Sequence, residues 1–200
     1  PKEFRATSTT ITQLVDTAGK LSQNRRGALI VVDLGSDLRP EDFLYSGTNI
    51  EAQLSTDLLI NLFATDTPLH DGAVLVKGNK IISAGVILPL SRQGISRYGT
   101  RHLAALGITE RFDRCICIVV SEETGTLSLA SQGKLERPIT SSRLQELLAN
   151  LIGNQNSIGT SKTSLSKTSL LQKTKPSDNM ISDIYEKEPN KSESFTNKED

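Results

Sequence analysis

The sequence predicts an α/β protein: a single domain with a central mixed β-sheet flanked by α-helices, followed by a disordered C-terminal tail. Three observations carry this reading. Amphipathic helical stretches alternate with short apolar runs such as Ala28-Leu-Ile-Val-Val32, the length of a strand buried on both faces. Two further runs join through Gly78-Asn79 as an antiparallel hairpin. Beyond Gly153 the aliphatic period stops, and Ser, Thr, Lys and Asn take over.

In chain order, residues 1–9 form a polar lead. Thr10-x-x-Gln13 offers a capping box for a helix with Ile11, Leu14, Val15, Ala18 and Leu21 on one face, ending near Asn24. Arg25 and Arg26 suit its C-terminal end, and Gly27 can leave it at positive φ. After the buried run comes a loop over 33–54 with one short strand near Thr48–Ile50. Ser55 caps a helix whose Leu58, Leu59, Leu62 and Phe63 make one stripe, and Pro68 ends it. The hairpin follows as Ala73–Lys77 and Lys80–Leu88, bringing His70-Asp71-Gly72 close to Leu88-Pro89-Leu90. Thr100 is the N-cap of the next helix, which runs to Gly107. Strands Cys115–Val120 and Thr126–Ala130 flank a turn at Glu122–Gly125, and Gln132-Gly133 turns the chain again. The last helix takes Ser142-x-x-Gln145 as its box and Leu144, Leu147, Leu148 and Leu151 as its stripe, with Gly153 just past its end. The folded domain is thus expected over 10–152 and the tail over 153–200. A near-repeat of Ser-Lys-Thr-Ser-Leu within Thr160–Leu170 is too short for a solenoid.

Composition narrows function. Among 200 residues, 23 Lys and Arg balance 23 Asp and Glu, and there is no Trp, so no basic field or stacking surface gathers a polynucleotide. Cys115 and Cys117 share one strand face, where a disulfide would be strained and metal-ligand spacing is absent; both read as small buried hydrophobes of a reduced protein. No apolar run reaches the roughly 18 residues of a membrane span. The chain begins at Pro1 rather than Met, consistent with a fragment trimmed of a targeting or membrane segment.

Chemistry concentrates between Leu69 and Gly125. A helix starting at Gly99-Thr100-Arg101-His102 would offer N–H groups, a hydroxyl and a forked guanidinium to phosphate; an ordinary cap with a solvated Arg and a His packed nearby is the better account of the tetrapeptide alone. His70-Asp71-Gly72 could give an imidazole and a carboxylate to a divalent cation, or simply turn the chain into a strand. Glu123 shares a face with Ser121 and is the better metal candidate, with Glu122 in reserve. P-loop, Rossmann and G-x-S-x-G motifs are absent.

Pro68-Leu-His-Asp-Gly-Ala73, Leu88-Pro-Leu-Ser91, Gly99-Thr-Arg-His102 and Ser121-Glu-Glu-Thr-Gly125, in this order and spacing, closely resemble the diadenylate cyclase domain, most of all its membrane-anchored class. The resemblance runs from about residue 10 to 152. It implies a nucleotidyltransferase that condenses two ATP into cyclic di-AMP across a face-to-face homodimer, at the cytoplasmic face of the membrane in the parent protein. It implies catalytic roles for Asp71 and Arg101. His70, Asp71 and Glu123 would serve Mn²⁺ or Mg²⁺, while Gly72, Ala73, Leu88, Thr100, Arg101, His102 and Ser121 would bind substrate. Two positions depart from the family: Leu103 stands where many members carry Arg, and Ile87 where some carry an aromatic. A nucleotide-binding regulatory module without turnover, and a metal-dependent hydrolase using His70, Asp71 and His102, are the rival expectations.

Overall fold

The computed structural model of the chain describes residues 8–93 and 97–158. They build one seven-stranded mixed sheet with helices on both faces, the predicted class. In chain order the elements are α1 (Ser8–Gln23), β1 (Ala28–Asp33), β2 (Thr48–Gln53), α2 (Thr56–Leu62), β3 (Ala73–Lys77), β4 (Lys80–Val86), α3 (Thr100–Thr109), β5 (Cys115–Val120), β6 (Leu127–Ser131), β7 (Lys134–Ile139) and α4 (Ser141–Ile158). The sheet order is β2-β4-β3-β1-β5-β6-β7. β1 and β3 run parallel, and every other neighbouring pair is antiparallel.

β1 is buried along its whole length because alternate side chains enter different cores. Ile30 and Val32 join Leu14, Ala18, Leu21, Leu59, Phe63, Leu144 and Leu148, so α1, α2 and α4 cover that face. Leu29 and Val31 point the other way and meet Ala104, Ala105 and Ile108 of α3, together with Cys115 and Cys117. Burial pushes the Cys117 thiol up, so it behaves as an inert hydrophobe.

Several ends differ from expectation. α1 begins at Ser8, so Thr10 lies inside the helix and buried rather than capping it. The left-handed residue after α1 is Arg25, at φ 47°, not Gly27. Gly99 caps α3 and makes Thr100 its first residue; Thr140 Oγ1, not Ser142, accepts the Arg143 N–H at the head of α4. α4 continues through Gly153 to Ile158. Ser55 caps α2 as expected, accepting the Leu58 N–H. The rest of the expected tail, from 159 on, falls outside the described residues.

β7 is the strand sequence reasoning missed. Its charges and Pro138 do not read as a strand, and only an edge position tolerates them.

Candidate active site

Because β1 and β3 are parallel while β4 and β5 run against them, one end of the sheet collects four distant segments. These are the starts of β1 and β3 and the ends of β4 and β5, with Ala28 opposite Val120 and Ala73 opposite Val86. α3 completes the wall. Its Gly107 lies so close to Pro89–Ser91 that a Cβ would meet the Pro89 carbonyl oxygen at 2.1 Å. The Leu103 carbonyl accepts the Ser91 N–H, and Ser91 Oγ donates to Glu110. This contact sets the helix N-terminus over the sheet end.

The result is an open cleft of about 770 Å³. His70, Asp71, Gly72, Ala73, Leu88, Thr100, Arg101, His102, Ser121 and Glu123 all line it. Ile87 and Leu90 form an exposed apolar lip, continued by Leu44 and Tyr45, with Tyr45 bridged to Ile87. Arg97, Glu122, Thr124 and Arg137 also face the cleft.

Electrostatics sort these groups. The head of α3 presents the Thr100 and Arg101 N–H groups and the positive end of the helix dipole. The Arg101 guanidinium, 2.8 Å from Glu122, stands directly over Gly27: a Cβ there would sit 2.6 Å from Nη1 and 3.0 Å from the Glu122 carboxylate. Gly27 therefore serves to seat this pair, a role no motif announced. The Glu122 side chain is 64% exposed, so the pair contributes under about 1 kcal/mol and yields readily to a stronger anion.

His70 donates from Nδ1 to the Thr67 carbonyl, which leaves Nε2 as the lone pair available to a cation. The expected set of His70, Asp71 and Glu123 does not close into a cage, however. Among the described residues no three His, Cys, Asp or Glu side chains gather to hold a metal ion. Asp71 and Glu123 are exposed on segments from different strands, and nothing draws like charges together without a cation.

His102 is buried rather than offered to solvent. Its Nε2 lies 3.2 Å from Ser128 Oγ, and its ring stacks on Tyr98 at 6.2 Å. Burial, aided by the nearby Arg137 charge, lowers its pKa, so it faces the cleft as a neutral ring. Below the ordinary value of 6.5 the unfolded chain takes up a proton that folded His102 resists, so stability falls with acid. Thermal midpoints measured from about pH 7.5 to about pH 5 should therefore drop further for the wild type than for His102→Gln.

Two more side chains have local partners. Ser121 Oγ accepts the Thr124 N–H at 3.4 Å and so shapes its own turn. Gly72 lines the cleft, but its missing Cβ makes room for Gly85, whose backbone would lie 2.6 Å from it, rather than for a ligand.

A helix head, guanidinium groups and carboxylates gathered in one open cleft at a sheet end are the build of a nucleotide-binding α/β domain. The comparisons agree. The family model described as DAC, DisA bacterial checkpoint controller nucleotide-binding, matches residues 15–135, and the chain belongs to this family. The diadenylate cyclase of Listeria monocytogenes is 47% identical over 130 residues, covering 64% of this chain and 46% of that protein. The crystal structure of DacA from Staphylococcus aureus matches with a TM-score of 0.65 and 38% identity, over 71% of this chain and 94% of that one. A structure described as a hypothetical membrane spanning protein from Bacillus cereus matches at TM-score 0.59 and 41% identity, over 64% of this chain and 63% of that one. The chain spans about half the length of the Listeria relative.

Proposed function

We propose that residues 10–152 are the catalytic domain of a diadenylate cyclase, which joins two ATP into cyclic di-AMP and releases two pyrophosphates. The observation that carries this reading is the meeting of Asp71, Arg101 and Glu123, from three segments far apart in sequence, in one cleft of a chain so similar to a named cyclase. In each half reaction a ribose 3′-oxygen forms a bond to the α-phosphorus of the other ATP. The bond from that phosphorus to the bridging oxygen breaks, and pyrophosphate leaves with its electron pair.

Such a reaction asks for positioning and charge neutralisation rather than a covalent nucleophile. Thr100, the α3 head and Arg101 hold the phosphates, and Arg101 exchanges Glu122 for the incoming anion. Leu88, with Ala73 and Gly72 beside it, packs the nucleoside against the sheet end. Asp71 lies by the attacking hydroxyl and accepts its proton. Ser121 adds a hydroxyl from the end of β5, and His102 a neutral ring. His70 Nε2, with Asp71 and Glu123, would hold Mn²⁺ or Mg²⁺, which supplies Lewis-acid charge to the phosphates when bound.

One cleft holds one ATP, so the site is half of an active centre and a second copy of the chain must face it. The exposed lip of Leu44, Tyr45, Ile87 and Leu90 beside the cleft suits such a partner, stable or transient. The Bacillus cereus neighbour, described as membrane spanning, supports a parent protein tethered to a membrane. Among the described residues no helix is long and apolar enough to cross one.

A second reading is a nucleotide-binding regulatory module. Leu103, a buried leucine where many family members carry Arg, favours it. Chromatography after incubation with ATP or GTP and either metal separates the readings. The cyclase gives cyclic di-AMP from ATP. The module binds ATP and makes nothing, and a hydrolase yields ADP or AMP.

A further inference from the structure

We infer that Arg137 is a phosphate-binding residue of this cleft. The inference rests on the cyclase reading and deepens it. Arg137 lies on β7, and the β6–β7 pairing explains why it points where it does. Leu127 pairs with Ile139 and Leu129 with Glu136, so Arg137 and Pro138 together face the single residue Ser128. A bulge of this kind redirects a side chain that a regular edge strand would send elsewhere. Ser128 is the residue whose hydroxyl meets His102, so the bulge brings Arg137 to the wall formed by the first turn of α3. There Arg137 lines the cleft.

Its guanidinium is anchored without being neutralised. It lies over the Tyr98 ring, 5.6 Å from the centroid, and Tyr98 in turn stacks on His102. The aromatic face orients the fork and leaves its N–H edge for oxygen acceptors. Among the described residues Arg137 enters no ion pair, whereas Arg101 is taken by Glu122 and Arg143 by Glu136 and Glu146. An arginine held on an aromatic ring, aimed into an open cleft and lacking a carboxylate, suits a polyphosphate. Arg101 lines the same cleft, so two guanidinium groups are available to one polyphosphate. Arg137 would thus hold the departing pyrophosphate end of ATP.

The test uses the full chain with Arg137→Ala and Arg137→Gln. Steady-state formation of cyclic di-AMP should show KM for ATP raised about tenfold or more, with kcat changed far less. Inhibition by added inorganic pyrophosphate should weaken by a similar factor. Arg137→Lys, which keeps the charge but loses the fork and the stacking, should recover only part of both. If either neutral variant is folded and keeps wild-type KM and wild-type pyrophosphate inhibition, Arg137 is only a surface cation and the inference falls while the cyclase reading stands. If the wild type makes no cyclic product, the cyclase reading falls, and calorimetric titration of pyrophosphate into wild type and Arg137→Gln decides the inference alone. Weaker binding by the variant upholds it, and equal binding overturns it.

Discussion

Asp71→Asn should lower formation of cyclic di-AMP by about a thousandfold while leaving ATP binding within about tenfold of wild type. Asn matches Asp in size and keeps one carbonyl acceptor, so the turn from Pro68 to Ala73 has no steric reason to move. What disappears is the charge. An amide oxygen neither accepts the proton of the attacking hydroxyl nor attracts the cation that His70 is set up to receive. Asp71 is exposed at the cleft and has no hydrogen bond or ion pair of its own to lose among the described residues, so little of the effect can come through folding. Initial rates by chromatography and ATP affinity by calorimetry separate the two quantities. Turnover in Asp71→Asn close to that of wild type would remove Asp71 from the chemistry.

Gly27→Ala should cost activity by about a hundredfold at no cost in stability. This residue carries no functional group, but a methyl there would press on the Arg101 guanidinium carbon at 2.9 Å and on Nη1 more closely still. A real Cβ does not tolerate such distances, so the guanidinium must swing away, and with it goes the fork that meets the phosphates. Gly27 is not among the positive-φ residues, so alanine is not excluded by the backbone. Restricting the unfolded chain should then hold or raise the melting temperature. Loss of activity with a preserved melting curve is the expected signature. Equal activity would mean that Arg101 finds its phosphate from another rotamer.

These two residues also mark how far the sequence could be read. The place of Asp71 at the cleft was legible because Asp and Gly at a strand entry point to either a turn or a site, and the family resemblance carried by the motifs together favoured a site. The same holds for the sheet core. β1, the β3–β4 hairpin and β5 are short apolar runs, β1 and β5 buried at every position, and local pattern is enough to find such elements. Gly27 was not legible, since its reason lies in the position of a side chain from α3. Arg137 was hidden for a related cause: β7 is an edge strand broken by Pro138 and a bulge, so neither the strand nor the direction of its arginine follows from local pattern. The metal set was legible only as far as its cleft. Motif order put His70, Asp71 and Glu123 on one cleft correctly, but it does not give the distances that distinguish a protein cage from a site completed by phosphate and water.

The helix caps teach a smaller lesson. Thr10, Thr100 and Ser142 were each chosen for a side chain suited to capping, and each lies inside the helix it was expected to start. At α3 this matters for function. With Gly99 as the cap, no side chain occupies the first-turn N–H groups, and Thr100 keeps its hydroxyl for a ligand.

The claim that one cleft is half of an active centre is tested most directly by specific activity across a dilution series, with the association state measured by sedimentation at each concentration. Activity per chain is expected to fall in step with the fraction of paired molecules. A species that sediments as a monomer and still makes cyclic di-AMP at the full rate per chain would contradict it.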